Sequence, residues 1–280
     1  MAFFVIYKTK TLVMKKILVL ILVSVFFSCD TETASNTTNP TSAVEALTEY
    51  VTINKVFQDV GNNSGDNVLS AETSASARST SHKGDATVTI EPYDLTSFPK
   101  TITINYGDGV LGPDGITRKG IVTIVSTNWY RVEGSTHTTT FTNFYHNDFK
   151  VEGTHIAENL GENNKGNLQF EVTITNGKIT NNENQSIYYT ENVTRTWIAG
   201  DNTPLYIWDD EYLLEGIQSG ISSKGVNYTL TTDEALHFTL LPRNIESGIL
   251  DVTLGVFNGI KIDYSESTIT ILGVVYPFEN

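Results

Sequence analysis

The residue types best suited to chemistry gather around position 210. Asp209, Asp210 and Glu211 are consecutive, and aromatic residues flank them. Two carboxylates can hydrolyse a glycosidic bond when they lie on opposite sides of a sugar, and aromatic rings beside acids also suit sugar binding without catalysis. Neighbours on an extended chain point in opposite directions, so Asp209 and Glu211 share a face without a matching acid elsewhere. The alternative is a solvated loop with one aromatic anchor in the core. The candidate ligand-binding residues are Tyr206, Trp208, Asp209, Asp210 and Tyr212.

Two aspartates stand in glycine-rich turns and are the calcium candidates. Asp108 follows Gly107, and Asp114 lies in a Pro-Asp-Gly sequence. Calcium takes six to eight oxygen ligands, which closely spaced aspartates can supply in part. The spacing does not match a calcium-binding loop, and Asp-Gly pairs are also ordinary turn chemistry. We therefore expect turns here and no metal site.

Three histidines, His137, His146 and His155, are spaced nine residues apart. If His146 lies at a hairpin tip, His137 and His155 face each other across the strands and His146 is too distant to join them. Two histidines can hold Zn²⁺ or Cu²⁺ only with a further ligand. Without a carboxylate nearby, we expect surface or edge residues.

The rest of the chain offers no catalytic signature. It contains no Gly-x-Ser-x-Gly sequence and no phosphate-binding loop. Cys29 is the single cysteine, so no intramolecular disulfide or thiolate zinc cage can form. Arg118 and Lys119 form an isolated basic pair, which we expect to be a solvated strand start. We expect a protein that is not an enzyme and needs no cofactor.

The net charge of the chain limits the kinds of molecule that it can bind. The net charge is -14, from 18 basic and 32 acidic residues. Four of the lysines precede Cys29 and no acidic residue does, so the chain from Cys29 onward carries 14 basic against 32 acidic residues, or -18. Such a surface repels phosphate backbones, and nucleic acid is not an expected partner.

The N-terminus has the pattern of a secretory signal. Lys15 and Lys16 precede an apolar run over residues 17–27, which Ser28 and Cys29 follow. The run has about 11 residues, too few to span a bilayer core of roughly 30 Å. Met14 directly precedes the lysines and is a candidate for the true start. Residues 1–28 are therefore predicted to be a signal peptide.

The sequence Phe26-Phe27-Ser28-Cys29 resembles the lipobox of bacterial lipoproteins. The resemblance implies that Cys29 carries a diacylglycerol and becomes the new N-terminus. Two or three acyl chains suffice for stable membrane anchoring. We expect an outer-membrane lipoprotein of the cell envelope, and the sequence leaves open which face of the membrane it occupies. Residues 29–41 are polar and without periodicity, as in a flexible tether.

One amphipathic helix is predicted after the tether, over residues 42–60. Ser42 and Glu45 match a capping box, and Gly61 is suited to end the helix. Its apolar residues recur at helical spacing, namely Val44, Leu47, Val51, Ile53, Val56, Phe57 and Val60. Residues 62–84 return to a polar composition and are predicted to be a loose linker.

Residues 85–280 are predicted to form an all-β body. Alternating segments occur at 87–90, 101–106, 120–125, 138–144, 168–175, 228–232, 249–254 and 268–272. Turn sequences separate the strands, at residues 163–166, 176–177, 223–225 and 258–259. Without helical crossovers the sheet must be antiparallel and mainly a meander. About ten or more strands rarely stay flat, so we expect a curled sheet, a half-barrel or two packed layers.

The segment Tyr106-Gly107-Asp108-Gly109, followed by residues 112–115, resembles a group of uncharacterised Bacteroidota cell-envelope lipoproteins. The resemblance covers nearly the whole body and implies location and fold, but no catalytic or binding residue. The function expected from the sequence is a lipid-anchored binding or interaction module for a protein or a glycan. The first alternative is an envelope-assembly component whose curved sheet shields an apolar ligand, which a dry, open concave face would favour. A glycan-active hydrolase is the other alternative.

Overall fold

The computed structural model describes residues 40–77, 82–83, 86–112, 114–203, 206, 209–240 and 243–277. The predicted signal peptide, Cys29 and nearly all of the predicted tether lie outside these residues. Within them, one helix, α1, spans Pro40–Ala77, and the other regular elements are strands. The first eight strands are β1 His82–Lys83, β2 Ala86–Glu91, β3 Lys100–Asn105, β4 Val110–Leu111, β5 Thr117–Ser126, β6 Thr136–His146, β7 Phe149–Glu162 and β8 Leu168–Thr180. The remaining strands are β9 Ser186–Ala199, β10 Glu211–Ile221, β11 Asn227–Leu240, β12 Arg243–Leu254, β13 Phe257–Asp263, β14 Thr268–Ile271 and β15 Val274–Pro277.

The strands form a single antiparallel meander, as the sequence predicts. Each strand pairs with its neighbours in the chain, except that β3 pairs with β5 rather than with the short β4, which pairs with β5 alone. Among the described residues β1 and β15 do not pair, so the sheet is not closed. Long strands alternate buried and exposed residues, as β9 does throughout its first half, because one face of the sheet is buried and the other is solvated.

The sheet curls around the helix. Helix α1 contacts β3 near one edge and β12 near the other, as well as β7, β9 and β11 between them. Gln58 contacts Glu191 on β9, and the next helix residue, Asp59, contacts Arg118 on β5. Four strand spacings separate β5 from β9, which is about 19 Å in a flat sheet at about 4.8 Å per strand. Adjacent residues of a helix about 10–12 Å wide, side chains included, can reach both strands only if the sheet bends around the helix. The predicted curling is therefore confirmed, with the helix lying on the concave face.

The helix is twice as long as the sequence predicts. It begins two residues before Ser42, with Pro40 in the first turn where the missing N–H costs nothing. Ser42 is therefore not the N-cap, and the carboxylate of Glu45 pairs instead with Lys224 in the turn after β10. The helix also continues past Gly61 to Ala77, so the predicted loose linker over residues 62–77 is wrong.

Side-chain hydrogen bonds within the helix and contacts with the sheet explain why the polar second half stays helical. The amide of Asn67 donates to the carbonyl oxygen of Asn63 at 2.7 Å, and the hydroxyl of Thr139 on β6 donates to Ser64 at 3.0 Å. The buried apolar residues of this half are Val68, Leu69 and Ala71. At Gly61, an added Cβ would lie 2.9 Å from the His155 imidazole. The glycine thus permits close approach of helix to sheet rather than ending the helix.

Bulges, several of them at glycines, bend the long strands. In β5, Gly120 has a φ of 85°, and the register shifts between Lys119 and Ile121. Gly153 in β7 and Gly216 in β10 mark similar shifts, and a bulged strand bends and twists more strongly. Asn176 and Gly177 also form a bulge, inside β8, so the turn predicted at that pair is wrong. The turn predicted at residues 258–259 lies two to three residues earlier, at Gly255.

Candidate functional site: an apolar cleft beside the helix

The acidic and aromatic stretch near position 210 does not form one surface. Asp210 is buried, and its carboxylate accepts hydrogen bonds from the Trp197 indole at 3.2 Å and the Tyr212 hydroxyl at 2.6 Å. Burial raises the pKa of Asp210 above its usual value, although both donors and the Arg195 guanidinium oppose the shift. Tyr206 and Asp209 are exposed, and Trp208 lies outside the described residues. Ligand binding by this stretch stays a prediction.

The calcium candidates are also separated. Asp114 pairs with the Arg118 guanidinium, whose Nη2 lies 2.6 Å from Asp114 Oδ2. Burial alone would raise the pKa of Asp114, but its hydrogen bonds to Arg118 and to the Ile116 amide lower it. Asp108 is exposed in the turn before β4. Among the described residues, no group of three His, Cys, Asp or Glu side chains is placed to hold a metal ion.

Arg118 is a buried anchor between the sheet and the helix, so its predicted solvation is wrong, whereas Lys119 is exposed at the start of β5 as predicted. Its side chain is 7% exposed, and Nη2 lies 2.7 Å from Oδ1 of Asp59 on the helix. Burial would raise the pKa of Asp59, but the His146 and Arg118 contacts lower it. The charge network therefore fixes the middle of α1 against the start of β5.

The three histidines are buried on the concave face, so the surface or edge placement predicted for His137 and His155 is wrong. His146 ends β6 at the hairpin tip, and its Nε2 lies 3.2 Å from Asp59 Oδ2. His137 on β6 lies opposite Ala157 on β7, and His155 on β7 lies opposite Thr139 on β6. The two histidines are therefore offset by two residues along the paired strands. Burial lowers the pKa of both His137 and His155 to about 4, so both are neutral near pH 7.

A second polar cluster, centred on Glu191 of β9, is sealed beneath the helix. Its carboxylate accepts a hydrogen bond from the Tyr189 hydroxyl at 2.8 Å and longer ones from Gln218 at 3.3 Å and Gln58 at 3.5 Å. Burial raises the pKa of Glu191 to about 7, although the Tyr189 and Gln218 hydrogen bonds oppose the shift. The cavity that Glu191 shares with His155 has a volume of about 20 Å³. That space suits a single water and no substrate.

The large concave site is a cleft of about 700 Å³ beside the N-terminal half of α1. One wall is the helix stripe formed by Val44, Leu47, Thr48, Val51, Thr52 and Lys55. The opposite wall belongs to the C-terminal strands and contains Leu230, Leu250, Ile262, Tyr264 and Ile269. The hairpin region between β5 and β7 closes one end with Ile116, His146, Asn147 and Phe149. We call this space the helix cleft.

The helix cleft is apolar along most of its length and carries little charge. None of its lining residues is an aspartate or glutamate, although the chain is strongly acidic. Lys55 is the one lysine in the lining, and it is exposed. Val51 remains 56% exposed, although its side chain belongs to the apolar stripe. A volume of this size falls in the range of about 300–1,000 Å³ typical of small-molecule sites.

Sequence reasoning missed this site, although its signal is present. The predicted apolar helix positions divide into two stripes. Ile53, Phe57 and Val60 pack on the sheet, whereas Val44, Leu47 and Val51 line the cleft. A helix that is apolar on more than one face has more apolar surface than one sheet contact covers.

Comparison with protein-family models, curated proteins and solved structures finds no match. In the described part of the chain, no helix combines the length and apolar character needed to cross a membrane.

Proposed function

We propose that the protein is a cell-envelope lipoprotein whose body shields a long alkyl chain in the helix cleft, with Cys29 carrying its membrane anchor. The observation that carries the proposal is the open, apolar cleft of about 700 Å³ between α1 and strands β11–β14. The buried acids and histidines elsewhere on the concave face contact one another and the helix, so they favour a structural role over chemistry on a substrate.

The dimensions of the cleft suit one alkyl chain. Val44 and Lys55 lie 11 residues apart on the helix, which is about 16 Å at 1.5 Å per residue. Half of a bilayer core of roughly 30 Å, the depth of one acyl layer, is about 15 Å. Burial of about ten methylenes would contribute about 8 kcal/mol at about 0.8 kcal/mol each. The cost of association reduces that gain substantially, so we expect micromolar affinity.

Anchoring through Cys29 rests on the signal pattern and the lipobox resemblance. The Cys29→Ala variant should carry no acyl groups and should pass from the membrane to the soluble fraction, because the thioether that would hold the lipid cannot form without the cysteine sulfur. Fractionation and intact mass measure the two effects. Wild-type protein in the soluble fraction with an unmodified thiol would contradict the anchoring proposal.

Ligand shielding is tested with a neutral photoprobe, a long-chain alcohol that carries a diazirine at its tail. The full chain is placed in phosphatidylcholine nanodiscs, with empty nanodiscs as the blank. After irradiation, peptide mapping should find the probe on the helix segment 44–55 and on strands β12–β14, whose side chains line the helix cleft.

A cleft-filling variant supplies the decisive comparison. Thr48→Trp places an indole inside the cleft and should reduce the crosslinking at least several-fold. Thr229→Trp makes the same change at an exposed position of β11 that does not line the cleft, and it should leave the crosslinking unchanged. Equal crosslinking in the two variants, or a label spread evenly over the body, would refute ligand shielding.

A further inference from the structure

The charge pattern of the helix cleft points to the head group of its ligand. The lining contains one lysine and no acidic residue, in a chain with a net charge of -14. Among the described residues, the Lys55 ammonium has no ion-pair or hydrogen-bond partner, whereas Lys100, Lys150, Lys178, Lys224 and Lys261 each pair with a carboxylate. A cation placed at an apolar site in a strongly acidic protein favours an anionic ligand.

The order of residues along the helix gives the ligand a direction. Val44, Leu47 and Val51 form the apolar part of the stripe, and Lys55 follows Val51 by one turn. Beyond Lys55, the buried Asp59 carboxylate pairs with the Arg118 guanidinium. The stripe thus changes from apolar to cationic over the length of about one acyl chain.

We infer that the helix cleft binds a fatty-acid anion, with its carboxylate at Lys55 and its alkyl chain along the stripe toward Val44. The inference rests on the proposed ligand-shielding function and specifies its ligand class. A singly charged head group is favoured because the lining supplies one lysine and because the acidic body repels a dianion. The hydroxyl groups of Thr48 and Thr52 donate to helix carbonyl oxygens, so these hydroxyls are not free to donate to the head group.

The test is competition against the neutral photoprobe by two ligands of equal chain length, hexadecanoate and hexadecanol. The full chain in phosphatidylcholine nanodiscs is used throughout. Hexadecanoate should compete more strongly than hexadecanol. Lys55→Met should weaken competition by hexadecanoate about three- to five-fold, the size expected for loss of an exposed ion pair. It should leave competition by hexadecanol unchanged.

Two further variants separate charge from packing. Lys55→Arg retains the cation and should keep most of the preference for the acid. Lys165→Met removes an exposed lysine from the turn between β7 and β8, outside the cleft, and should change neither ligand. High salt should weaken hexadecanoate alone.

The outcomes distinguish the two proposals. If hexadecanol and hexadecanoate compete equally well, the carboxylate assignment is overturned while ligand shielding stands. The same conclusion follows if Lys55→Met weakens competition by both ligands to the same extent, or by neither. If the photoprobe does not label the cleft and neither ligand competes, both proposals fail together.

Discussion

The buried carboxylate of Glu191 should make the stability of the protein depend on pH in a measurable way. Its folded-state pKa is raised to about 7 from an ordinary value of 4.5, mainly because burial penalises the charged form. As the pH falls, the folded protein therefore takes up this proton at a higher pH than the unfolded chain does. The free energy of unfolding should rise as the pH falls through 7 toward 4.5. A shift of about 2.5 pKa units corresponds to about 3 kcal/mol at about 1.4 kcal/mol per unit.

Other buried groups oppose this trend, so the wild type alone cannot reveal it. His137 and His155 have folded-state pKa values near 4, below the ordinary 6.5. The unfolded chain binds protons at these histidines at a higher pH than the folded protein does. Each histidine therefore lowers the free energy of unfolding as the pH falls through 6.5 toward 4. The difference between the wild type and a Glu191→Gln variant removes their common contribution.

The assay is urea unfolding of the full chain between pH 4.5 and 8, followed by fluorescence of its 3 tryptophans. Glu191→Gln resembles the protonated side chain, which is neutral and can still accept from Tyr189. Relative to this variant, the wild type should lose about 3 kcal/mol between pH 4.5 and pH 8. Glu158→Gln, at an exposed position of β7, controls for the loss of one charge. If the difference in free energy of unfolding between the wild type and Glu191→Gln stays constant within about 1 kcal/mol across this pH range, the reasoning is refuted.

Two predictions concern the framework around the cleft. Arg118→Met should lower the free energy of unfolding by about 3–5 kcal/mol because it removes the guanidinium partner of the buried Asp59 carboxylate. A second change, Asp59→Asn, should recover part of the loss, and urea midpoints measure both effects. Gly120→Ala should cost about 2 kcal/mol or more, because φ is 85° and an added Cβ would lie 2.0 Å from the Asn143 carbonyl oxygen. Gly225→Ala, with φ of 79° and open space around the Cβ, should cost about 1 kcal/mol. Equal losses for the two glycines would show that the contact with β6 is unimportant.

The antiparallel meander could be predicted because its signals are local. Alternation with a period of two identifies a half-buried strand without knowledge of its partners, and the turns at residues 163–166 and 223–225 lie between β7 and β8 and between β10 and β11, where the sequence places them. The pair Asn176-Gly177 misleads because the same positive φ serves a hairpin turn and a bulge. Only the neighbouring strand, which pairs across the bulge, decides between them.

The second half of the helix could not be predicted for a related reason. Asn63, Ser64 and Asn67 are typical of loops when only local preference is considered. In the folded protein the side chains of Asn63 and Asn67 donate hydrogen bonds to helix carbonyl oxygens, and Ser64 accepts one from a hydroxyl on β6. Helix stability in proteins comes mostly from packing of one face, and Ser64 receives its hydrogen bond from Thr139, 75 residues away in the sequence.

The helix cleft follows from how a straight helix meets a curved sheet. At Gly61 and Gly65 the backbone of α1 approaches His155 and Tyr130 so closely that an added Cβ would lie about 3 Å from each. The charge pair between Asp59 and Arg118 holds the same part of the helix. The first four turns of α1 are held along one side, where Glu45 pairs with Lys224 and the Glu49 carboxylate accepts a hydrogen bond from the Ser223 amide in the turn after β10. Along the other side, the stripe that contains Val51 faces the C-terminal strands across a space that neither element fills.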